Sequence, residues 1–147
     1  MVYTSSQRLS GYTKAYQAAG MEVNPSLMEY SDYTVEGGYE AFMRIIKRNP
    51  DMTAAFVTNY EMTLGSIIAI NELSLKIPGD LSFIGFDNIE LAKVVKPKLT
   101  IVSQPMEQIG KAAAIQMLQR MKGEYVSSNI IIKSTEFIIG DSVADLY

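Results

Sequence analysis

The sequence predicts an α/β fold built on a doubly wound, mainly parallel sheet, and three observations carry that prediction. Short apolar runs alternate along the chain with amphipathic stretches of helical period. Such alternation builds parallel sheets, because each crossover helix returns the chain to the edge it left. The short apolar run 54–58 suits a strand covered on both faces, 81–86 reads as a second buried strand, and 99–103 as a third. Proline and glycine mark the junctions at Asn49-Pro50-Asp51, Pro78-Gly79-Asp80 and Gln104-Pro105, where turns and first helical turns place them.

The elements follow in order. Residues 6–19 read as a helix with Leu9, Tyr12, Tyr16 and Ala19 on one stripe, closed by Gly20. A short extended segment, 26–31, follows Pro25. Residues 35–48 form a second amphipathic helix. Tyr39, Phe42, Met43 and Ile46 make its apolar stripe, and Arg44, Lys47 and Arg48 load its last turn. Strand 54–58 leads into helix 61–74, and strand 81–86 ends at Asp87-Asn88. A short helix near 89–95 reaches Pro97, and strand 99–103 follows. Pro105 opens a helix striped by Met106, Ile109, Ala113, Met117 and Met121, which Gly123 ends. The β-branched stretch 130–139 reads as one or two strands.

Composition excludes several chemistries. The chain has 147 residues, 48% of them apolar and 20% charged, ordinary values for a single domain with a real core. The net charge of −3 does not suit a polyphosphate backbone, which needs clustered Lys and Arg. With no cysteine there is no disulfide and no thiolate site. With no histidine the commonest general base and metal ligand are missing, and Ser-His-Asp or Cys-His catalysis cannot be assembled. No metal motif and no phosphate loop is present, so neither a metal nor a cofactor is expected. Residues 1–10 are polar, unlike a signal peptide, and Asn59 and Glu61 interrupt the apolar stretch 54–70 before it could span a membrane.

In parallel sheets of this type ligands bind beyond the carboxyl ends of the strands. The residues there are Asp32 and Tyr33, Asn59 and Tyr60, Asp87 and Asn88, and Gln104. Carboxylates and amides pair with hydroxyl groups, and aromatic rings stack on a sugar face or a base. The set therefore suits a neutral polyol or a nucleobase. Each Asx residue also fits a helix cap or a turn, so the collection says more than any member. Asp32 and Asp87 could instead form a glycosidase pair, although any acidic chain offers such pairs. Gly37-Gly38 points to close packing, and the Met-rich helix 106–121 to a core or an interface.

Several segments line up with one family. Arg8-Leu9-Ser10-Gly11-Tyr12 opens the series. Asn59-Tyr60-Glu61-Met62-Thr63-Leu64-Gly65 resembles its "ND-x-MA-x-G" run. Residues 77–88, from Ile77-Pro78 through Gly85-Phe86-Asp87-Asn88, resemble a proline-led strand that ends in Gly-aromatic-Asp-Asp. Leu99-Thr100-Ile101-Val102-Ser103-Gln104-Pro105 resembles "LT-T-V-x-QP". In order and spacing the chain resembles the lactose-repressor/galactose-repressor (LacI/GalR) family over nearly its whole length.

The resemblance implies a periplasmic-binding-protein-like (type I) sensor core with an effector in the cleft between two subdomains. It places residues 1–147 in the C-terminal part of that effector-binding and dimerisation core, one subdomain plus elements of the other. The helix-turn-helix headpiece and most of the N-terminal subdomain are then expected to lie outside this chain. Helix 106–122 would belong to that other subdomain, exposing apolar surface that favours self-association.

The implied effector contacts are Arg8, Tyr33, Asn59 and Asp87, with Gln104 at the crossover beside the cleft. Tyr60 and Asn88 stand where the family carries Asp, and Ser6 where some sugar-responsive members carry Arg, which leaves the effector open. The implied homodimer contacts are Leu64, Ile68, Val94 and Val95. The expected function is that of a cytoplasmic transcriptional regulator, a repressor, that responds to a sugar or similar molecule and touches DNA only through its headpiece. It is not expected to be an enzyme, and binding of effector by this segment alone should be weak or absent. A periplasmic-type sugar-binding protein for transport or chemosensing is the alternative, and a carboxylate glycosidase ranks below both.

Overall fold

The computed structural model describes residues 3–87, 89–124 and 130–145. Its sheet has four strands in the order β1-β2-β3-β4: β1 (Ala54–Phe56), β2 (Ser82–Phe86), β3 (Thr100–Ser103) and β4 (Glu136–Ile138). The first three run parallel, with Ala55 opposite Phe83 and Gly85 opposite Ile101. β4 pairs antiparallel with β3, Phe137 lying opposite Val102. The helices are α1 (Tyr3–Ala18), α2 (Val35–Arg48), α3 (Tyr60–Glu72), α4 (Ile89–Val94) and α5 (Met106–Met121). This is the predicted α/β architecture, a mainly parallel sheet with crossover helices.

Local chemistry sets the helix ends. Thr34 caps α2, its hydroxyl oxygen accepting from the Gly37 N–H at 2.9 Å, and Lys47 and Arg48 close the last turn. Asn59 caps α3 through the Met62 N–H at 3.1 Å. Each cap satisfies one of the N–H groups a helix start leaves open. Gly20 and Gly123 take φ of 68° and 74° just beyond α1 and α5, the left-handed conformation of a glycine C-cap.

The core lies between the sheet and the α2–α3 pair. Phe83, Ile101 and Ala69 are wholly buried, with Ile70, Leu81 and Leu99 beside them. α2 and α3 touch backbone to backbone. A Cβ on Gly65 would lie 2.0 Å from the Val35 carbonyl oxygen, and one on Gly38 would lie 2.5 Å from the Met62 Cα. The Gly37-Gly38 pair thus serves the close packing expected of it. Past β4, Ser142 stitches the amino ends of the central strands. Its hydroxyl donates to the Phe83 carbonyl at 2.6 Å and accepts from the Thr100 N–H at 2.8 Å.

Three expectations need correction. The segment 26–31 is not uniformly extended: Pro25–Leu27 forms one 3-10 turn, and 28–32 has no regular structure. Met28 is extended (φ −117°, ψ 138°), but a strand needs a ladder partner and this segment has none. Arg48 instead takes the Ser26 and Met28 carbonyls, at 2.9 and 3.0 Å. β1 is not covered on both faces, since Ala54 and Phe56 are exposed. It lies at the end of the sheet, with only β2 beside it. Within 130–139, strand is confined to Glu136–Ile138. Of the two readings of the Met-rich helix, core or interface, the second is left open, for no residue of α5 is buried and Met106, Met117 and Met121 are exposed. Among the described residues, no helix is long and apolar enough to cross a membrane.

Candidate functional site

The carboxyl ends of β1, β2 and β3 and of segment 28–32 carry the predicted residues. Arg8 reaches the site from the first half of α1. Its guanidinium donates to the Thr58 carbonyl at 2.6 Å and lies 3.9 Å above the centre of the Phe86 ring. It is half-buried, so the ring contact contributes about 0.5–2 kcal/mol. One side chain therefore joins α1 to the ends of two strands, with N–H groups left to donate to a ligand.

Tyr33 follows segment 28–32 at φ 68°, a left-handed conformation uncommon for a residue with a side chain. Its hydroxyl shares a hydrogen bond with Ser5 at the start of α1. Arg8 and Tyr33 border the same cavity, and the Tyr33 ring remains partly exposed. Asp87 is also left-handed, at φ 65°. Its carboxylate accepts from the Gln104 main-chain N–H at 2.9 Å and from the Gln104 side-chain amide. Strained backbone gathers at functional sites more than elsewhere, and both residues lie where the ligand was expected.

Two predicted residues have other duties. The Asn59 side chain is committed to capping α3, so its amide N–H groups are what it offers a ligand. Asp32 accepts from the Thr34 hydroxyl at 2.7 Å, the Thr34 N–H at 3.2 Å and the Ser31 hydroxyl at 3.4 Å. The Thr34 hydroxyl bond leads these in holding its carboxyl below the usual carboxylate range. A glycosidase acid needs the opposite shift, so Asp32 is not suited to that role. Tyr60 is exposed. Asn88 lies outside the described residues. No group of acidic residues able to hold a metal occurs among the described residues.

Sequence reasoning missed Ser5, Thr58 and Phe86. Ser5 and Phe86 could have been found as neighbours of residues already singled out. Thr58 acts through its main chain, which no side-chain pattern signals. Below Arg8 on α1, the Tyr12 and Tyr16 rings lie 4.7 Å apart. Burial first, then the Tyr16 hydrogen bond, pushes the Tyr12 hydroxyl up to about 12, which keeps it neutral.

Of the four residues expected at a dimer contact, Ile68 and Val94 are exposed, Leu64 is half-buried, and Val95 is half-buried against the core. Ile68 lies one turn after Leu64 on α3, so the two share a face.

Comparison with known proteins agrees with this fold. The periplasmic binding protein-like domain matches residues 2–143. The HTH-type transcriptional repressor CytR of Escherichia coli (strain K12) is 36% identical over 139 residues, covering 95% of this chain and 41% of that protein. The chain thus spans about two fifths of the length of this curated relative. A transcriptional regulator CelR–cellobiose complex superposes with a TM-score of 0.87 at 30% identity, covering 93% of this chain and 42% of that one. A LacI family transcriptional regulator from Enterococcus faecium with bound ribose gives 0.82 at 25% identity, covering 95% and 52%. The chain belongs to the periplasmic binding protein-like domain family, and it is similar to part of LacI-family transcriptional regulators.

Proposed function

We propose that this chain is the effector-sensing and dimerising part of a LacI-type transcriptional repressor that answers to a sugar or a related polyol. The observation that carries the reading is the placement of Arg8. Its guanidinium, stacked on Phe86 and bonded to Thr58, stands beside the Tyr33 ring at the carboxyl ends of the strands. A fixed donor next to an exposed aromatic face is what a sugar ring requires. Relatives solved with cellobiose and with ribose support the ligand class.

The mechanism is coupling and not catalysis. An effector that prefers one arrangement of two subdomains shifts the equilibrium of attached DNA-binding headpieces, by about 1–3 kcal/mol. Asp87 and Gln104 join the ends of β2 and β3, so a ligand on Asp87 would be felt where the chain leaves β3 for α5. DNA contact would fall to a headpiece elsewhere in the protein, which works in the cytoplasm. The residues assigned to the effector are Arg8, Tyr33, Asn59, Asp87 and Gln104. Those assigned to the homodimer are Leu64, Ile68, Val94 and Val95.

The test is NMR titration of the chain with ribose and cellobiose. Weak binding, with dissociation constants of about 1 mM or above, should shift the resonances of Arg8, Tyr33 and Phe86, and Arg8→Ala should abolish the shifts. Shifts confined to other regions, or unchanged by that substitution, would end the sugar reading.

A further inference from the structure

We infer that Ser5 is a positioning residue of the candidate site: it grips the Tyr33 hydroxyl and so holds the Tyr33 ring at one tilt beside Arg8. The inference rests on the effector reading of that edge and deepens it. It starts from how the hydroxyls of α1 are used. Ser6 donates to the Tyr3 carbonyl at 2.7 Å and Thr13 to the Leu9 carbonyl at 3.1 Å, the backward bonds that such side chains make within a helix. Ser5, in the first turn, does otherwise. Its hydroxyl reaches a residue 28 positions away and shares a hydrogen bond with the Tyr33 hydroxyl.

The main chain around Tyr33 is fixed from the other side. The Asp32 carboxylate spans Tyr33 and accepts from the Thr34 hydroxyl at 2.7 Å and the Thr34 N–H at 3.2 Å. Thr34 in turn accepts from the Gly37 N–H at 2.9 Å. This turn lies so close to α2 that a Cβ on Gly37 would stand 2.1 Å from Asp32 Oδ1 and 2.3 Å from Ser31 Oγ. With φ held at 68°, the Cα–Cβ bond of Tyr33 has a set direction. The two side-chain torsions remain, and they alone decide where the ring stands. The ring is partly exposed, so packing does not enclose it. A bond at its far tip restrains both torsions at once.

Ser5 precedes Arg8 by three residues on α1, so the two lie on one helix face, and with Tyr33 they border one cavity. Arg8 is tied separately, to the Thr58 carbonyl at 2.6 Å and over the Phe86 ring. One face of α1 thus sets both partners that a ring-shaped polyol needs, a donor and an aromatic face, before the ligand arrives. A side chain ordered in advance loses less freedom on binding, which for one such side chain amounts to about threefold to tenfold in affinity. Ser5 acts in this way without touching the ligand.

The test uses the 147-residue chain with ring-labelled tyrosine, titrated by NMR with ribose and with cellobiose. Ser5→Ala should lower the order parameter of the Tyr33 ring and leave the amide shifts of residues 34–37 in place. It should raise the dissociation constant of the tighter-binding sugar by about threefold to tenfold. Tyr33→Phe keeps the ring, drops the hydroxyl and should do the same. The double variant should bind no more weakly than either single one, because both remove one bond. Ser5→Thr keeps a hydroxyl and should restore the affinity. A purely structural part for Ser5 in α1 gives a different result, losses that add in the double variant. Additive losses, an unchanged ring order in Ser5→Ala, or an affinity that Ser5→Ala leaves unaltered each overturn the inference while the effector reading stands. Should Ser5→Ala not fold, Tyr33→Phe reads the same bond by ring order and affinity. Absence of binding by the unaltered chain sinks the effector reading itself, and this inference with it.

Discussion

Gln104 donates twice to the carboxylate of Asp87, once from its main chain at 2.9 Å and once from its side chain. The carboxyl ends of β2 and β3 are thereby latched through a residue held at φ 65°. Asp is among the side-chain-bearing residues that tolerate this conformation. Asp87→Ala should lower stability by about 2–4 kcal/mol, through lost hydrogen bonds to a charged group and a left-handed alanine. Asp87→Asn retains an acceptor and the backbone tolerance, and should cost about 1 kcal/mol or less. Urea unfolding of both variants checks this, and equal losses would remove the latch as the explanation.

Glycine substitutions should split by position. A Cβ on Gly65 would meet the Val35 carbonyl at 2.0 Å and the Tyr39 nitrogen at 2.6 Å, both backbone atoms that cannot rotate away. Gly65→Ala must push α2 from α3 and should cost about 3 kcal/mol or more. Gly110, in mid-α5, has nothing within 4 Å of its Cβ position. Gly110→Ala should raise stability by up to about 1 kcal/mol from helix propensity alone. Thermal unfolding of the two single variants reads both signs.

The α/β class, the three parallel strands and the span of α2 were legible because buried strands and amphipathic helices leave periodic patterns. α2 begins and ends at the expected residues, 35 and 48, since Thr34 and Asn49-Pro50 both act locally. The state of 28–32 and β1 was not legible. Whether an extended segment becomes a strand depends on a neighbour, and no pattern in 26–31 or 54–58 states which neighbour is present. At the candidate site, Tyr33 and Asp87 were singled out because residues after extended segments face the ligand edge of such a sheet. The Asp87–Gln104 bond was not, for it joins residues that only the sheet brings together.

Acid should loosen segment 28–32. Glu29 binds Arg48 at 2.9 Å and Arg44 at 3.4 Å. Burial alone would raise its carboxyl, but the two guanidinium groups outweigh that and hold it below its usual 4.5. A lowered folded value means that the stabilisation is fully present above pH 4.5 and is lost as pH falls through the lowered value. Both arginines are more than a third exposed, so screening limits the contribution to about 1 kcal/mol or less. Glu29→Gln should flatten this part of the acid limb in pH-dependent urea unfolding. An unchanged limb would mean that other carboxylates set it.

Self-association should run through α3 and α4. Ile68 and Val94 are 44% and 75% exposed, apolar side chains whose burial would stabilise a dimer. Light scattering after size exclusion should report a dimer for the unaltered chain. Ile68→Glu and Val94→Glu should each shift it to monomer, since a carboxylate desolvated at the contact has no partner there. α5 offers a rival surface, because Met117 and Met121 are exposed as well. Met117→Lys separates the two: if it dissociates the chain while Ile68→Glu does not, association runs through α5 and the α3–α4 assignment is withdrawn. A monomer of the unaltered chain would withdraw both, leaving these apolar faces for contacts within a longer protein.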